Sequence, residues 1–462
     1  MDNVVEIKNL SIHSEQACIV EKLSLSLGWD KPITILGETG SGKSLLAHAI
    51  MGALPENLRM DGDITLFGRS QLTRLELESC WGKQIAMLPQ EPWLSLDPIM
   101  LVRKQLSLVH RCVNFLSKPN AQSLAQQSLS EFDLTVGSDK VPSQLSGGMA
   151  QRVAYLCATA AGGRVLIADE PTKGLDANRK KHLIRLLKKH SEQGALLTIT
   201  HDIDVAAALG GDVIVMRQGK IVERGQCEHL LAQPKSEYAK QLIAAHNETY
   251  TQLIKPHRDD DTLVSLRDVS KHCGGQSLFH RLSFSIQKGE IVGICGDSGA
   301  GKSTLADMIL GLTPIDQGQI LYHENIFENA KALKLYQDPP AAFSTSMTLA
   351  QNLDDLCRLH CLDRDVIEGF MTELKLDKQL LARTPVQISG GELQRFAILR
   401  VLLMKPKLLV ADEPTSRLDP IVSASTMKLL IQQAQRINCA VLLISHDPKM
   451  VHNVCNKVIN IK

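Results

Sequence analysis

The sequence predicts an α/β fold that is built twice along one chain. Short apolar runs, such as residues 32–36, 165–168 and 195–199, alternate with helical patterns, which is typical of buried parallel strands covered by helices. Four motifs of the first half recur in the same order in the second half, at a nearly constant spacing. This repetition indicates a duplicated unit.

A linker separates the two copies. The stretch from His246 to Thr262 is polar and charged, and it contains a proline and a run of three aspartates, a composition that is common in linkers. We therefore predict a first domain over residues 1–246, a linker over residues 247–262 and a second domain over residues 263–462.

The composition argues against several classes of protein. The 462 residues include 51 Lys and Arg against 50 Asp and Glu, which gives a formal net charge of +1. A general nucleic-acid binder needs a clustered positive excess, so we expect no nucleic-acid partner. The sequence contains no apolar run of the length that spans a membrane, and its N-terminus lacks a signal-peptide pattern. We expect a cytosolic protein that reaches a membrane only through a partner.

Each half contains the phosphate-binding pattern G-x-x-x-x-G-K-S directly after an apolar run. Its glycines let the backbone curl so that N–H groups point at phosphate oxygens, and the following helix adds its positive N-terminus. The lysine neutralises the β- and γ-phosphates, and the serine holds Mg²⁺. We predict a phosphate site in each half, formed by Gly37, Gly40, Gly42, Lys43 and Ser44 and by Gly296, Gly299, Gly301, Lys302 and Ser303.

Two acidic residues end a later apolar run in each half. Asp169 and Asp412 suit the shell of a Mg²⁺ ion. The glutamates that follow them, Glu170 and Glu413, suit a base that orients or deprotonates an attacking water. An ordinary acidic strand end is the alternative interpretation, and the nearby phosphate pattern argues against it.

A Ser-Gly-Gly sequence precedes a helical segment in each half. Free backbone N–H groups and a hydroxyl at a helix N-terminus can bind an anion, whereas a plain helix N-cap is the alternative. The residues concerned are Ser146, Gly147 and Gly148 in the first half and Ser389, Gly390 and Gly391 in the second.

Two further residue types recur at matching places. His201 and His446 each follow a β-type run, so their imidazoles could reach a phosphate at a strand end. A buried structural histidine is the alternative. Gln90 and Gln337 lie between the phosphate loop and Ser-Gly-Gly, and a neutral amide there could bind Mg²⁺ or water.

Together these motifs resemble those of the ATP-binding cassette (ABC) ATPases, twice and over essentially the whole chain. The resemblance implies that each domain has a mainly parallel core sheet, an antiparallel β subdomain and a helical subdomain. It also implies head-to-tail docking, with each ATP between the phosphate loop of one half and the Ser-Gly-Gly of the other. No catalytic position is lost in either half, so we expect both sites to hydrolyse ATP with Mg²⁺.

A narrower resemblance concerns residues 90–98, 219–225 and 233–242, which are similar to segments of dipeptide, oligopeptide and nickel importer ATPases. It implies an import ATPase on the cytoplasmic face of the inner membrane, with two transmembrane permease subunits and a solute-binding protein as partners. A fused sugar-importer ATPase is one alternative. A ribosome-associated tandem-cassette ATPase is another, against which the short linker and the near-neutral charge argue.

The family also places an aromatic residue against adenine, near the first strand. In this sequence His13 and His272 stand at the matching places. An imidazole can stack on adenine, but it buries less area than a larger ring. A surface histidine is the alternative.

Overall fold

The computed structural model describes most of the chain, namely residues 3–15, 17–29, 31–38, 40–90, 95–173, 175, 177–247, 261–273, 276–297, 299–336, 339–415, 418–445 and 447–461. The chain forms two compact units, Met1–His246 and Asn247–Lys462. The predicted site residues Gln337 and His446 lie outside the described residues, as does nearly all of the predicted linker.

The strands of the first unit form two sheets. In chain order they are Val5–His13 (β1), Cys18–Leu27 (β2), Ile33–Gly37 (β3), Arg59–Leu66 (β4), Arg69–Ser70 (β5), Ile85–Leu88 (β6), Val165–Asp169 (β7), Ala195–Thr200 (β8), Asp212–Arg217 (β9) and Lys220–Gln226 (β10). One sheet has the order β2-β1-β4-β5 and is antiparallel. The other has the order β10-β9-β3-β8-β7-β6, and all of its pairs are parallel except β10 with β9.

Burial explains the sequence patterns of these strands. β3, β7 and β8 are buried along their whole length, because helices cover both faces of a parallel sheet, and their sequences are therefore continuous apolar runs. In β2 the side chains alternate, with Leu23, Leu25 and Leu27 buried. One face of that antiparallel sheet is in the core and the other is exposed.

Helices connect the strands of the first unit. In chain order they are Lys43–Met51 (α1), Arg74–Cys80 (α2), Val102–Cys112 (α3), Lys118–Glu131 (α4), Gly147–Thr159 (α5), Ala177–Ser191 (α6), Ile203–Leu209 (α7), Cys227–Ala232 (α8) and Glu237–Asn247 (α9). Buried residues of α3, α4 and α5, among them Leu106, Leu129 and Val153, form a separate apolar cluster. This cluster is the core of a helical subdomain.

The second unit repeats the plan. Its strands are Thr262–Cys273 (β11), Gln276–Gln287 (β12), Ile291–Cys295 (β13), Gln317–Tyr322 (β14), Ala332–Leu335 (β15), Leu408–Asp412 (β16), Ala440–Ile444 (β17) and Lys457–Asn460 (β18). An antiparallel sheet has the order β12-β11-β14, and a parallel sheet has the order β15-β16-β17-β13-β18.

The helices of the second unit occupy matching places. They are Lys302–Ile309 (α10), Leu349–His360 (α11), Val366–Glu373 (α12), Gly390–Leu403 (α13), Pro420–Arg436 (α14) and Pro448–Val454 (α15). The predicted fold class is therefore confirmed in both units. In each of these sheets the carboxyl ends of the parallel strands meet at one edge, which is where ligands bind in open α/β sheets.

Candidate active site

In the first unit the glycine-rich loop joins the buried strand β3 to α1, and its lysine folds back onto it. Gly42 has φ +89° and is the N-cap of α1, a backbone conformation that glycine adopts without strain. Lys43 is buried, and its Nζ donates to Gly37 O at 2.8 Å and to Glu38 O at 2.6 Å. The ammonium group is thereby held at the loop, beside the helix N-terminus.

Gly42→Ala is expected to destabilise the protein by about 1–3 kcal/mol, because an L-residue is strained at this φ and a packed site must shift. A Cβ there would lie 2.6 Å from Val20 Cγ2. Urea unfolding measures the change. Gly28→Ala is the control, since nothing lies within 4 Å of its Cβ position; equal effects of the two changes would contradict the prediction.

The loop of the second unit has the same geometry. Gly301 has φ +91° and is the N-cap of α10. Lys302 Nζ donates to Gly296 O and to Asp297 O, both at 2.9 Å. The structure therefore brings each predicted lysine and its glycines together in one turn at the end of a core strand.

Asp169 ends β7 beside the first loop. Its carboxylate is hydrogen-bonded to the side chain of Ser44, and its Oδ1 is buried without a hydrogen-bond partner among the described residues. Burial raises the pKa of Asp169, and the Ser44 hydrogen bond opposes that rise. A serine hydroxyl and an unsatisfied carboxylate oxygen are hard oxygen donors of the kind that Mg²⁺ prefers. The residues present therefore fit the ion that the sequence predicts.

Glu170 and His201 form an ion pair at the ends of two adjacent strands, with 2.9 Å between Oε1 and Nδ1. Thr200 Oγ1 donates to the other carboxylate oxygen at 3.2 Å. Burial raises the pKa of Glu170, but His201, Lys43 and Lys173 together outweigh burial, and the pKa lies below its ordinary value. Burial lowers the pKa of His201, but Glu170 and Asp202 together outweigh burial, and the pKa of His201 is raised. A charged carboxylate is thus held in place at the strand end.

Both predicted catalytic glutamates have an unusual backbone. Glu170 has φ +46° and Glu413 has φ +48°, in the left-handed region that non-glycine residues seldom adopt. Such a conformation costs energy and persists where the surrounding structure imposes it, most often at functional sites. The backbone N–H of each glutamate donates to the neighbouring strand, at Ile199 O and Ile444 O.

Asp412 of the second unit is the counterpart of Asp169. Its side chain is hydrogen-bonded to Ser303, and burial raises its pKa. It also has a neighbour that sequence reasoning missed: Lys334 Nζ lies 3.6 Å from its Oδ2. Among the described residues, groups of three or more His, Cys, Asp or Glu side chains that could hold a metal by themselves are absent.

The Ser-Gly-Gly sequences lie at helix N-termini, where the sequence places them. Ser146 is the N-cap of α5 and accepts from Met149 N, and Ser389 is the N-cap of α13 and accepts from Glu392 N. The first N–H groups of any helix have no intrahelical acceptor, and each serine cap satisfies one of them. This geometry is that of a helix N-cap, and it also leaves backbone N–H groups that could bind an anion.

A buried glutamine ties each of these helices to the acidic strand end, and sequence reasoning gave it no role. Gln151 Nε2 donates to Pro171 O at 2.6 Å, and Gln394 Nε2 donates to Pro414 O at 2.8 Å. The signal was present, since both glutamines stand three residues after the second glycine of the motif. Each bond fixes the motif relative to the catalytic glutamate of its own unit.

The remaining predicted residues are placed as follows. Gln90 is two residues beyond β6, whose Leu88 pairs with Ala168 of β7, so it stands near the end of the strand that carries Asp169. His13 and His272 are each paired with an aspartate at 3.4 Å and are partly exposed.

A phosphate loop after a core strand, and an aspartate and a glutamate at the end of a second parallel strand, define a P-loop nucleoside triphosphatase. This chain carries two such sets. The Ser-Gly-Gly sequence at a helix N-terminus in each unit is the feature that, by the resemblance stated above, distinguishes ABC ATPases from other P-loop nucleoside triphosphatases.

The chain belongs to the ABC transporter family, whose model matches residues 20–173 and 279–416. It is therefore an ATP-binding protein and an ATPase. None of the described helices combines the length and the apolar character that a transmembrane helix requires.

Several relatives match along nearly the whole chain. It is 30% identical to the uncharacterized ABC transporter ATP-binding protein YejF of Escherichia coli, over 99% of this chain and 93% of that protein. It is 29% identical to the glutathione import ATP-binding protein GsiA of Salmonella typhi, over 97% of this chain and 83% of that protein. It is also 29% identical to the peptidoglycan transport ATP-binding protein YejF of Agrobacterium fabrum, over 99% of this chain and 90% of that protein.

Solved structures confirm the tandem fold. A structure of RNase-L Inhibitor is similar with a TM-score of 0.68 and 19% identity, over 97% of this chain and 87% of that chain. At this identity the likeness concerns the fold alone.

Proposed function

We propose that this chain is the ATP-hydrolysing subunit of an ABC importer that takes up a small solute, with peptides, nickel or a metal–chelator complex as the candidate substrates. The observation that carries the proposal is the full-length likeness to relatives named as import or transport ATP-binding proteins. Two transmembrane permease subunits and a solute-binding protein are the partners. The chain is then peripheral, on the cytoplasmic face of the inner membrane.

The site residues take the following roles. Glu170 and Glu413 orient or deprotonate the attacking water, and His201 and His446 would reach a phosphate of the nucleotide. Mg²⁺, when bound, neutralises phosphate charge. The loop glycines together with Lys43 and Lys302 would hold the phosphates. The Mg²⁺ ion would be held by Ser44, Gln90 and Asp169 in the first unit and by Ser303, Gln337 and Asp412 in the second.

The Ser-Gly-Gly motifs have a role that rests on the family resemblance alone. Ser146, Gly147 and Gly148 would complete the nucleotide site of the second unit, and Ser389, Gly390 and Gly391 that of the first. ATP would then favour closure of the two halves and its hydrolysis would favour opening. A permease in contact with the cassettes would follow this cycle.

Purification of the tagged full-length chain from detergent-solubilised membranes of its own host tests the proposal. We expect two polytopic membrane proteins to co-purify, and mass spectrometry identifies them. Recovery of ribosomal proteins in their place would favour the ribosome-associated alternative and contradict import.

Uptake measurements narrow the substrate class. Cells in which the chain carries both Glu170→Gln and Glu413→Gln should lose uptake of one probe among radiolabelled glutathione, a radiolabelled dipeptide and ⁶³Ni²⁺. Cells that express the unmodified chain are the control. The sugar-importer alternative would be favoured by a different pattern. In that case the variant cells would take up all three probes as the control cells do, but would lose the uptake of a labelled sugar that the control cells take up.

A further inference from the structure

The two nucleotide sites differ in the charges next to the buried aspartate. In the second unit Lys334, on β15, places its Nζ 3.6 Å from Asp412 Oδ2 and 2.6 Å from Asp307 Oδ1. The Lys334 side chain is only 10% exposed. Asp307 belongs to α10, the helix that follows the phosphate loop. A fixed cation thus lies between the loop helix and the carboxylate predicted to face Mg²⁺.

The first unit has no lysine at the equivalent strand position, and the cations that act on Asp169 there are Lys43, held by its own loop, and His48. Met87 of β6 pairs with Ile167, two residues before Asp169, just as Lys334 of β15 pairs with Val410, two residues before Asp412. The difference follows from one side chain on the same strand position.

The partner of the lysine also differs between the units. Asp307 stands five residues after Lys302, and His48 stands five residues after Lys43. The pair Lys334 and Asp307 in the second unit therefore replaces the pair Met87 and His48 in the first.

The lysine is held where it affects the carboxylate. Its ammonium is bonded to Asp307 and lies 5.4 Å from the centre of the Tyr336 ring, so it is anchored on two sides. Burial raises the pKa of Asp412, and Lys334 opposes that rise more strongly than Asp307 adds to it. The net effect of the pair at Asp412 is that of a positive charge, which solvent screens poorly because both Lys334 and Asp412 are buried or nearly so.

We propose that Lys334 weakens divalent-cation binding at the second nucleotide site, so that the two sites of one chain fill with metal at different concentrations. The ammonium group of Lys334 competes with Mg²⁺ for the carboxylate of Asp412. When Mg²⁺ is limiting, the first site is loaded with metal and nucleotide, whereas the second stays without metal and binds nucleotide more weakly. This inference rests on the proposed role of Asp412 and Asp169 at the two metal sites.

Nucleotide binding measured at controlled free Mg²⁺ tests the proposal without using turnover. The full-length chain carries Glu170→Gln and Glu413→Gln to prevent hydrolysis, and either Lys43→Ala or Lys302→Ala to leave one site. Binding of a fluorescent ATP analogue is titrated with Mg²⁺. We expect a midpoint about tenfold higher for the second site, as a fixed charge beside a buried carboxylate produces. Equal midpoints overturn the inference.

A reciprocal exchange separates the charge from any structural role of the pair. Lys334→Met with Asp307→His gives the second unit the side chains of the first, and Met87→Lys with His48→Asp does the reverse. We expect the two exchanges to move the Mg²⁺ midpoints in opposite directions, while Lys334→Arg in the unexchanged chain keeps the high midpoint. Thermal unfolding reports folding of every variant. Exchanges that change the melting temperature and leave both midpoints unchanged would assign the pair a structural role only.

The same titration keeps the two hypotheses distinct. If neither site binds the analogue at any Mg²⁺ concentration, the nucleotide sites themselves are wrong. If both bind it with one shared midpoint, the sites stand and only the role of Lys334 fails.

Discussion

Glu170→Gln and Glu413→Gln are each expected to lower ATP turnover by about 100-fold or more at the altered site, the usual effect of removing a general base. ATP should remain bound. Glutamine keeps the size of glutamate and one of its acceptor oxygens, but it cannot accept the proton of the attacking water. Phosphate release measures turnover, and retention of radiolabelled ATP on a desalting column measures trapping.

The location of Glu170 makes a second experiment necessary. Its carboxylate is paired with His201, so Glu170→Gln also removes the charge that raises the pKa of the histidine. His201→Asn breaks the same pair and leaves the carboxylate in place. A base at Glu170 predicts that the glutamate change is much the more damaging of the two.

Glu237→Gln is the matched control for this experiment, because Glu237 is an exposed residue of α9 paired only with Lys240 among the described residues. It should leave turnover unchanged. If one of the two site variants keeps the full activity of the unmodified chain, then the expectation that both sites hydrolyse is wrong for that site.

The sequence was sufficient to predict the elements that local physics specifies. A phosphate loop needs glycines at fixed spacings because its backbone has positive φ at Gly42 and Gly301, and a buried parallel strand needs a continuous apolar run. Both requirements are visible in neighbouring residues. The fold class and the duplication could therefore be predicted before any coordinates.

Contacts between distant residues could not be predicted in the same way. The pairing of Glu170 with His201 spans 31 residues and exists because β7 and β8 are neighbours in the sheet, which no local pattern encodes. The pairing of Lys334 with Asp307 spans 27 residues and depends on which face of β15 lies against α10. The order of the strands in the sheet, and the face of each strand that lies against a helix, thus decide which charged side chains meet at the sites.

Lys43→Ala is expected to reduce nucleotide binding at the first site by about 10- to 100-fold, the range for hydrogen bonds to a charged group, and to leave the second site unaffected. Lys43 is the buried cation of its loop. Its counterpart Lys302 belongs to a separate compact unit with a complete loop of its own. The stoichiometry of bound radiolabelled ATP should therefore fall from two per chain to one at concentrations that saturate the intact site.

The lysine also supports its own loop, which is why the change needs a second variant. Its ammonium donates to two backbone carbonyl groups, and truncation leaves both without that donor. Lys43→Met fills most of the same space without the charge, so a loss of binding in both variants, with unfolding transitions like that of the unmodified chain, assigns the effect to the charge. Lys8→Ala, at an exposed lysine of β1, should bind two ATP molecules. Two bound ATP molecules in Lys43→Ala as well would contradict the assignment of the first site.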